Sequence, residues 1–216
     1  MELRDLETLI KTRRSIRRWK QKPVPEDSVL KAIELGTWAP NGGNHQNWKF
    51  VVVTNQDVIH RMADAVQSKV DLVTSWPEAA GFGETIDRWK NNADFFRNAP
   101  VCIAVLMAKY ESVADQILRL RDPGDTSAQA MIEARETAKS GVQSVAAAIG
   151  YLLLALHCQG LGALWMTGPL LAKIEIEEML HVPQELDLLA LVPVGLPDEE
   201  PSQSRKPLSE VLEFRR

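Results

Sequence analysis

Residues 11–22, KTRRSIRRWKQK, carry seven cationic side chains and no acid, in a chain whose formal net charge is -4. A dense basic run on an acidic protein calls for a local anion rather than a general one. Arg13, Ser15 and Arg17 alternate, so in an extended chain they point to one side. Two guanidiniums and a hydroxyl on one side suit a phosphate monoester, whose oxygens accept forked guanidinium bonds. The plainer reading is a solvated helix end that complements the helix dipole. A second stretch, PNGGNHQNW at 40–48, offers the amides of Asn41, Asn44, Gln46 and Asn47 around two glycines. Amides donate and accept, which suits the edge of a heterocycle; an ordinary Asn/Gly turn uses the same residues. His45 lies in this loop with no carboxylate or nucleophile close in sequence. A third stretch, GLGALWMTG at 160–168, has its glycines after a helical pattern and before an apolar run. A dinucleotide fingerprint needs the reverse order, so these glycines read as a helix stop.

Other chemistries find no support in the sequence. There is no P-loop, no H-E-x-x-H, no G-x-S-x-G and no Cys/His spacing of a metal site. His60, His157 and His181 stand isolated, and Cys158 within a helical pattern reads as core. A pI near 5.6 argues against nucleic acid as the partner of the basic run. The first residues are charged, unlike a signal peptide, and two cysteines in apolar stretches suggest no disulfide framework. The longest apolar run, near 145–157, reads as too short to span a bilayer. The expectation is a cytoplasmic protein with no membrane or metal partner. Its 216 residues, 45% of them hydrophobic, fit one domain over 1–216.

The elements that must carry these stretches are legible in outline. Leu3, Leu6, Leu9 and Ile10 are spaced as one face of a helix that ends at the basic run. Pro25-Glu26-Asp27 opens a second helix. Residues 48–54 read as a buried strand, 57–70 as a helix, 71–98 as irregular and 100–108 as a second strand. Residues 109–138 are polar, with a break at Asp122-Pro123-Gly124. Residues 139–159 form the strongest helical pattern, with a seam of small residues suited to an intimate helix pair, within the chain or across a dimer. A third strand within 160–168, a short helix and a fourth strand at 188–195 follow. Helices and apolar strands so mixed imply an α/β or α+β sheet covered by helices.

Four stretches, in order, resemble the nitroreductase family of FMN-dependent oxidoreductases: RRSIRRW, APNGGNHQNWKFVVV, LLLALHCQGLGALWMTG and VPVGLPDEEPSQSRKPLSEVL. The resemblance runs from about residue 5 to 213. It implies an α+β fold with a central, mostly antiparallel sheet flanked by helices, built as an intertwined homodimer with FMN at the interface. By the same resemblance Arg13, Arg14, Ser15 and Arg17 meet the phosphate, ribityl chain and pyrimidine edge, and Arg205 is a further phosphate ligand. Pro40, Asn41, Gly42 and Asn44, with Gln46 nearby, contact the flavin of the partner subunit. Met166, Thr167 and Gly168 lie beside the ring, and Arg18, Lys20 and Lys22 have no counterpart and are surface charges. No side chain need act as acid or base; Arg17 is an electrostatic stabiliser of reduced flavin.

The resemblance further implies ping-pong transfer from NADH or NADPH to a nitroaromatic, quinone or similar acceptor. The alternatives are other flavin chemistry (dehydrogenation, dehalogenation, flavin fragmentation) and a non-catalytic flavin-binding sensor. The chain departs from the family pattern at four places. Asn47 stands where a proline is usual, Asn41-Gly42-Gly43 replaces a Ser/Thr-rich stretch, Gly150-Tyr151 replaces Gln-Asn, and Thr167 replaces an acid found in some members.

Overall fold

The computed structural model describes residues 2–121 and 123–215. Its middle is a four-stranded sheet of β1 (Trp48–Val53), β2 (Val101–Ala108), β3 (Gly162–Ala163) and β4 (Leu186–Gly195). The strands lie in the order β1-β2-β4-β3, and every pairing is antiparallel. Helices α1 (Leu3–Thr12), α2 (Glu26–Gly36), α3 (Gln56–Thr74) and α4 (Glu84–Lys90) surround it. So do α5 (Val113–Leu120), α6 (Thr126–Ala138), α7 (Ser140–Cys158) and α8 (Lys173–Met179). The chain is therefore α+β with helices flanking an antiparallel sheet, as the sequence implied.

Both faces of the sheet are covered at β2 and most of β4, which explains their long apolar runs, whereas β1, expected as a buried strand, lies at the sheet edge with Lys49 and Val52 exposed and only Val53 buried. Successive side chains of β2 go to opposite faces. Cys102, Ala104 and Leu106 join a core with α3 and α8, whereas Val101, Ile103 and Val105 join a second core with α2 and α7. In β4, Leu188 and Leu191 enter the first core, although an odd spacing should send them to opposite faces. The register shift between Val105 and Leu106 of β2 resolves this. Val105 pairs with Ala190 and Leu106 with Leu188, so Leu189 is the extra residue of a bulge that flips the alternation. Burial pushes the Cys102 thiol up to about 12, leaving it an inert core residue.

The long helix packs closely on α2. A Cβ on Gly36 would lie 3.2 Å from the Ala148 carbonyl oxygen and 3.4 Å from Leu152 Cβ, so the glycine sets the approach. Its other side stays open: Tyr151 and Cys158 are exposed and nothing lies within 4 Å of a Cβ on Gly150. Cys158 is thus not the core residue that the sequence suggested. Gly160, at φ 75°, stops the helix as expected.

Several expectations need correction. Residues 71–98 are not irregular: α3 runs on to Thr74, α4 follows, and 3-10 turns occupy Pro77–Phe82 and Phe95–Asn98. Residues 109–138 hold α5 and α6, capped by Ser112 and Asp125; Asp122 of the expected break lies outside the described residues. The third strand is only two residues long, with one further bridge from Met166 to Leu191. The apolar run is also longer than it seemed. Lys139, left-handed at φ 42°, joins α6 to α7. Within the joined run Thr126–Cys158 of 33 residues, an 18-residue window reaches a mean hydropathy of 1.6, long and apolar enough to cross a bilayer. Val145, Ile149, Leu152 and Leu156 within it are fully buried against the sheet and α2, as in a core helix.

Candidate functional site

The basic run leaves α1 and becomes extended between two other parts of the chain. Ser15 bridges Ala163 of β3 in parallel, and the Ile16 amide donates to the Ala163 carbonyl at 3.2 Å. On the other side Lys20 donates to the Leu196 carbonyl at 2.9 Å and Asp198 to that of Arg18 at 3.0 Å. Ile16 and Trp19 point inward. The Trp19 indole N–H donates to the Gly162 carbonyl at 3.0 Å, and its ring stacks on Phe95 at 6.2 Å. The run is therefore strand-like between β3 and the segment at 196–198, pinned by Ile16 and Trp19 while Arg17, Arg18 and Lys20 stay outside.

This docking sorts the cations. The Arg17 and Arg18 amides and the Arg18 guanidinium all donate to the Glu199 carboxylate. Burial alone would raise that carboxyl; the amides of Arg17 and Arg18 outweigh it and hold it low. Arg18, read as a free surface charge, is thus paired. Arg13, Arg14 and Arg205 instead line one cavity of about 630 Å³, with Leu153, Leu154 and Gln203. Among the described residues none of the three has a carboxylate partner. The Arg13 guanidinium is pulled below its usual range, first by burial, then by Arg205 and Arg14. Arg14 also folds back, donating to the carbonyls of Lys11 at 2.6 Å and Arg13 at 2.9 Å, which caps α1. Its Nε is buried without a partner. Three guanidiniums gathered without an acid, one with an unmet donor, form a site that gains stability from an anion.

His157 belongs to the same neighbourhood. Its Nε2 lies 2.9 Å from Thr12 Oγ1, and its pKa is held below the usual 6.5 by burial first and by Arg13 and Arg14 next. Folding lowers this pKa, so the unfolded chain binds the proton more readily. The stability this contributes is fully present above about pH 6.5 and is lost as pH falls through the folded value. The urea midpoint should therefore drop on acidification below that pH, and His157→Gln should flatten the drop. A variant with the wild-type slope would place the acid sensitivity elsewhere.

The second stretch is built at another place. Gly42–Asn44 form a 3-10 turn, with positive φ at Gly43 (59°), Asn44 (53°) and Gln46 (49°). The Gln46 amide donates to Asn41 Oδ1 at 3.0 Å, and its side chain donates to Asn44 Oδ1 at 3.3 Å. Pro40 is exposed ahead of the turn, and His45 meets Tyr110 edge-on at 4.9 Å. The turn sits on the first residues of α7, whereas the arginine cavity touches the same helix at Gly150 to Leu154. At 1.5 Å per residue these points are about 9–15 Å apart along the helix. Within one chain, then, the loop and the arginines do not share a cavity. A larger cavity of about 900 Å³ opens at α5 and α6, but its Arg119 and Arg135 are paired with Glu111 and Asp115.

The third stretch splits by residue. Met166 is buried, and both its backbone groups pair with Leu191. Thr167 and Gly168 are exposed, and among the described residues their amides donate to no protein acceptor. Sequence reasoning missed Glu199, Tyr110 and Ser144. Glu199 acts on a residue 182 positions away, and no local signal marks such a partner.

Fold and cluster together define a class: an α+β sheet protein with a crowded guanidinium site fit for a phosphate monoester. The chain belongs to the nitroreductase family, whose family model matches residues 10–196. It is 27% identical over 210 residues to an iodotyrosine deiodinase of Thermotoga neapolitana, covering 94% of each chain. It is 29% identical to an NADH dehydrogenase of Thermus thermophilus, covering 98% of this chain and 96% of that one. Among solved structures, a BluB-like flavoprotein of Clostridium difficile 630 superposes with a TM-score of 0.85 at 30% identity, covering both chains completely. An iodotyrosine deiodinase bound to FMN and 3-iodo-L-tyrosine shares the fold, with a TM-score of 0.70 at 24% identity over 97% of each chain.

Proposed function

We propose that this protein is an FMN-dependent oxidoreductase that works as a cytoplasmic homodimer. The observation that carries the reading is the acid-free cluster of Arg13, Arg14 and Arg205, with the unmet Nε of Arg14. These groups fit a phosphate of two negative charges. Ser15 and Arg17 follow on the same extended stretch, toward the ribityl chain and the pyrimidine edge. There Arg17 holds a positive charge beside the part of the ring that gains electron density on reduction. The exposed amides of Thr167 and Gly168 are donors for the ring edge. Pro40, Asn41, Gly42, Asn44 and Gln46 serve the site of the other subunit, in keeping with their separation from the arginines within one chain. Exposed apolar residues support association: Trp38 is 77% exposed and Phe214, on the tail, 78%.

The chemistry that FMN supplies when bound is two-electron transfer from NADH or NADPH to an acceptor such as a nitroaromatic or a quinone, in alternating fashion. The protein orients the ring and sets its electrostatics, and no side chain of the site serves as acid or base. A second reading keeps the cofactor and changes the acceptor to a halogenated phenol. A relative named iodotyrosine deiodinase, matched over 94% of each chain, favours it. The test is the visible spectrum of the FMN-loaded protein without oxygen. Addition of NADH or NADPH should bleach the flavin bands, and a quinone or nitroaromatic should restore them. Bands that persist with either donor, yet bleach with dithionite and return with 3-iodotyrosine, would select the second reading. A protein that binds no FMN would refute both.

A further inference from the structure

Asn47 and Ser144 are the buried polar side chains of the described structure, each 7% exposed, and both attach to the same loop. Ser144 Oγ accepts from the Gly42 amide at 3.2 Å and donates to the Ser140 carbonyl at 3.0 Å. The Asn47 side-chain amide donates to the Ala108 carbonyl at 3.3 Å and the Gly141 carbonyl at 3.4 Å, while the Asn47 backbone carbonyl accepts from the Ala108 amide at 2.8 Å. One residue thus ties the loop to the first turn of α7, and the other ties it to the end of β2 and to the same turn. The loop needs such ties. Asn44 and Gln46 hold positive φ; asparagine enters this region readily, whereas glutamine keeps it only when its surroundings impose it. Asn47 stands where the family pattern has a proline, which carries no side-chain donor.

We infer that Asn47 and Ser144 are positioning residues that hold Pro40–Gln46 in the shape it presents to the flavin ring. This rests on the FMN reading above. They touch no ligand themselves; they act through the backbone of Gly42 and the strained turn that follows. Buried polar groups cost stability unless satisfied; Asn47 meets that need by anchoring the end of the loop to Ala108 and Gly141, and Ser144 by accepting from Gly42.

The test compares FMN with riboflavin, which lacks the phosphate. Affinities of the full-length protein are read by quenching of flavin fluorescence, with urea midpoints measured alongside. Ser144→Ala should weaken FMN and riboflavin by the same factor, about fivefold for one net hydrogen bond, and Asn47→Ala by about tenfold or more. The ratio of the two affinities should stay at its wild-type value, because the arginine cluster is untouched. Ser144→Cys fills the same space but accepts a hydrogen bond only weakly, so it should fold and show the serine-to-alanine loss. Variants that bind both flavins as the wild type does, or that lose FMN selectively, would overturn the inference alone. A wild-type protein that binds neither flavin would overturn the FMN reading and this inference with it.

Discussion

Arg205→Ala is expected to weaken FMN binding by about 10- to 100-fold while the protein without FMN melts at the same temperature or a higher one. The two signs come from one cause. A hydrogen bond to a charged group contributes about 1.5–3 kcal/mol, and each 1.4 kcal/mol is about tenfold in affinity. Without the anion, however, Arg205 only crowds Arg13, whose guanidinium burial and then Arg205 already depress. Removing Arg205 relieves that repulsion. Riboflavin affinity should be unchanged, since the phosphate is the group addressed. Thermal melts with and without FMN, together with titration of both flavins, check all three outcomes. If Arg205→Ala lowered the melting temperature of the flavin-free protein and left FMN affinity intact, the cluster would be structural and the phosphate site would lie elsewhere.

Gly162→Ala should damage fold and site together. A Cβ at this position would lie 2.7 Å from Ile16 Cγ1 and 2.9 Å from Ile16 Cβ, closer than such atoms approach. Neither side can yield easily. Gly162 is buried in β3 opposite Gly195, and Ile16 is the inward anchor of the stretch that carries Arg13 and Arg17. The same glycine's carbonyl accepts the Trp19 indole N–H. One added methyl therefore levers the basic strand off the sheet, a loss of about 1–3 kcal/mol by overpacking. FMN affinity should fall with it, because the arginines move relative to Arg205. Gly81→Ala is the control: nothing lies within 4 Å of a Cβ there, and stability should stay near wild type. Urea midpoints and FMN titration read both effects. An unchanged midpoint for Gly162→Ala would mean that the basic strand is not held against β3 as described.

What the sequence revealed follows from how local each signal is. The strands β2 and most of β4 were legible because a sheet covered on both faces demands apolar residues, and β1 was legible from its run of β-branched valines although it is only partly buried. The stop of α7 was legible from Gly160, and its apolar face from Val145, Ile149, Leu152 and Leu156. By contrast α4, α5 and α6 escaped notice, since none but Ala128 in them is buried and their polar residues mimic loop composition. The bulge at Leu189 left no trace either, because leucines on both sides of it hide the change of face.

By itself the sequence determined the chemical inventory: a basic stretch suited to phosphate, an amide-rich turn, and an α+β framework of the nitroreductase kind. The first two are properties of residue types and short spacing; the third rests on the resemblance of four stretches to that family. The tertiary structure alone decided which cations share an anion and which are neutralised. Arg13 meets Arg205 and Arg18 meets Glu199 only because residues 15–20 dock between β3 and the segment at 196–198. It alone paired both backbone groups of Met166 with Leu191 and set Ser144 under the turn. The physical reason is common to all of them. These contacts join positions far apart in the chain, and their partners are chosen by sheet pairing and core packing, which no local stretch encodes.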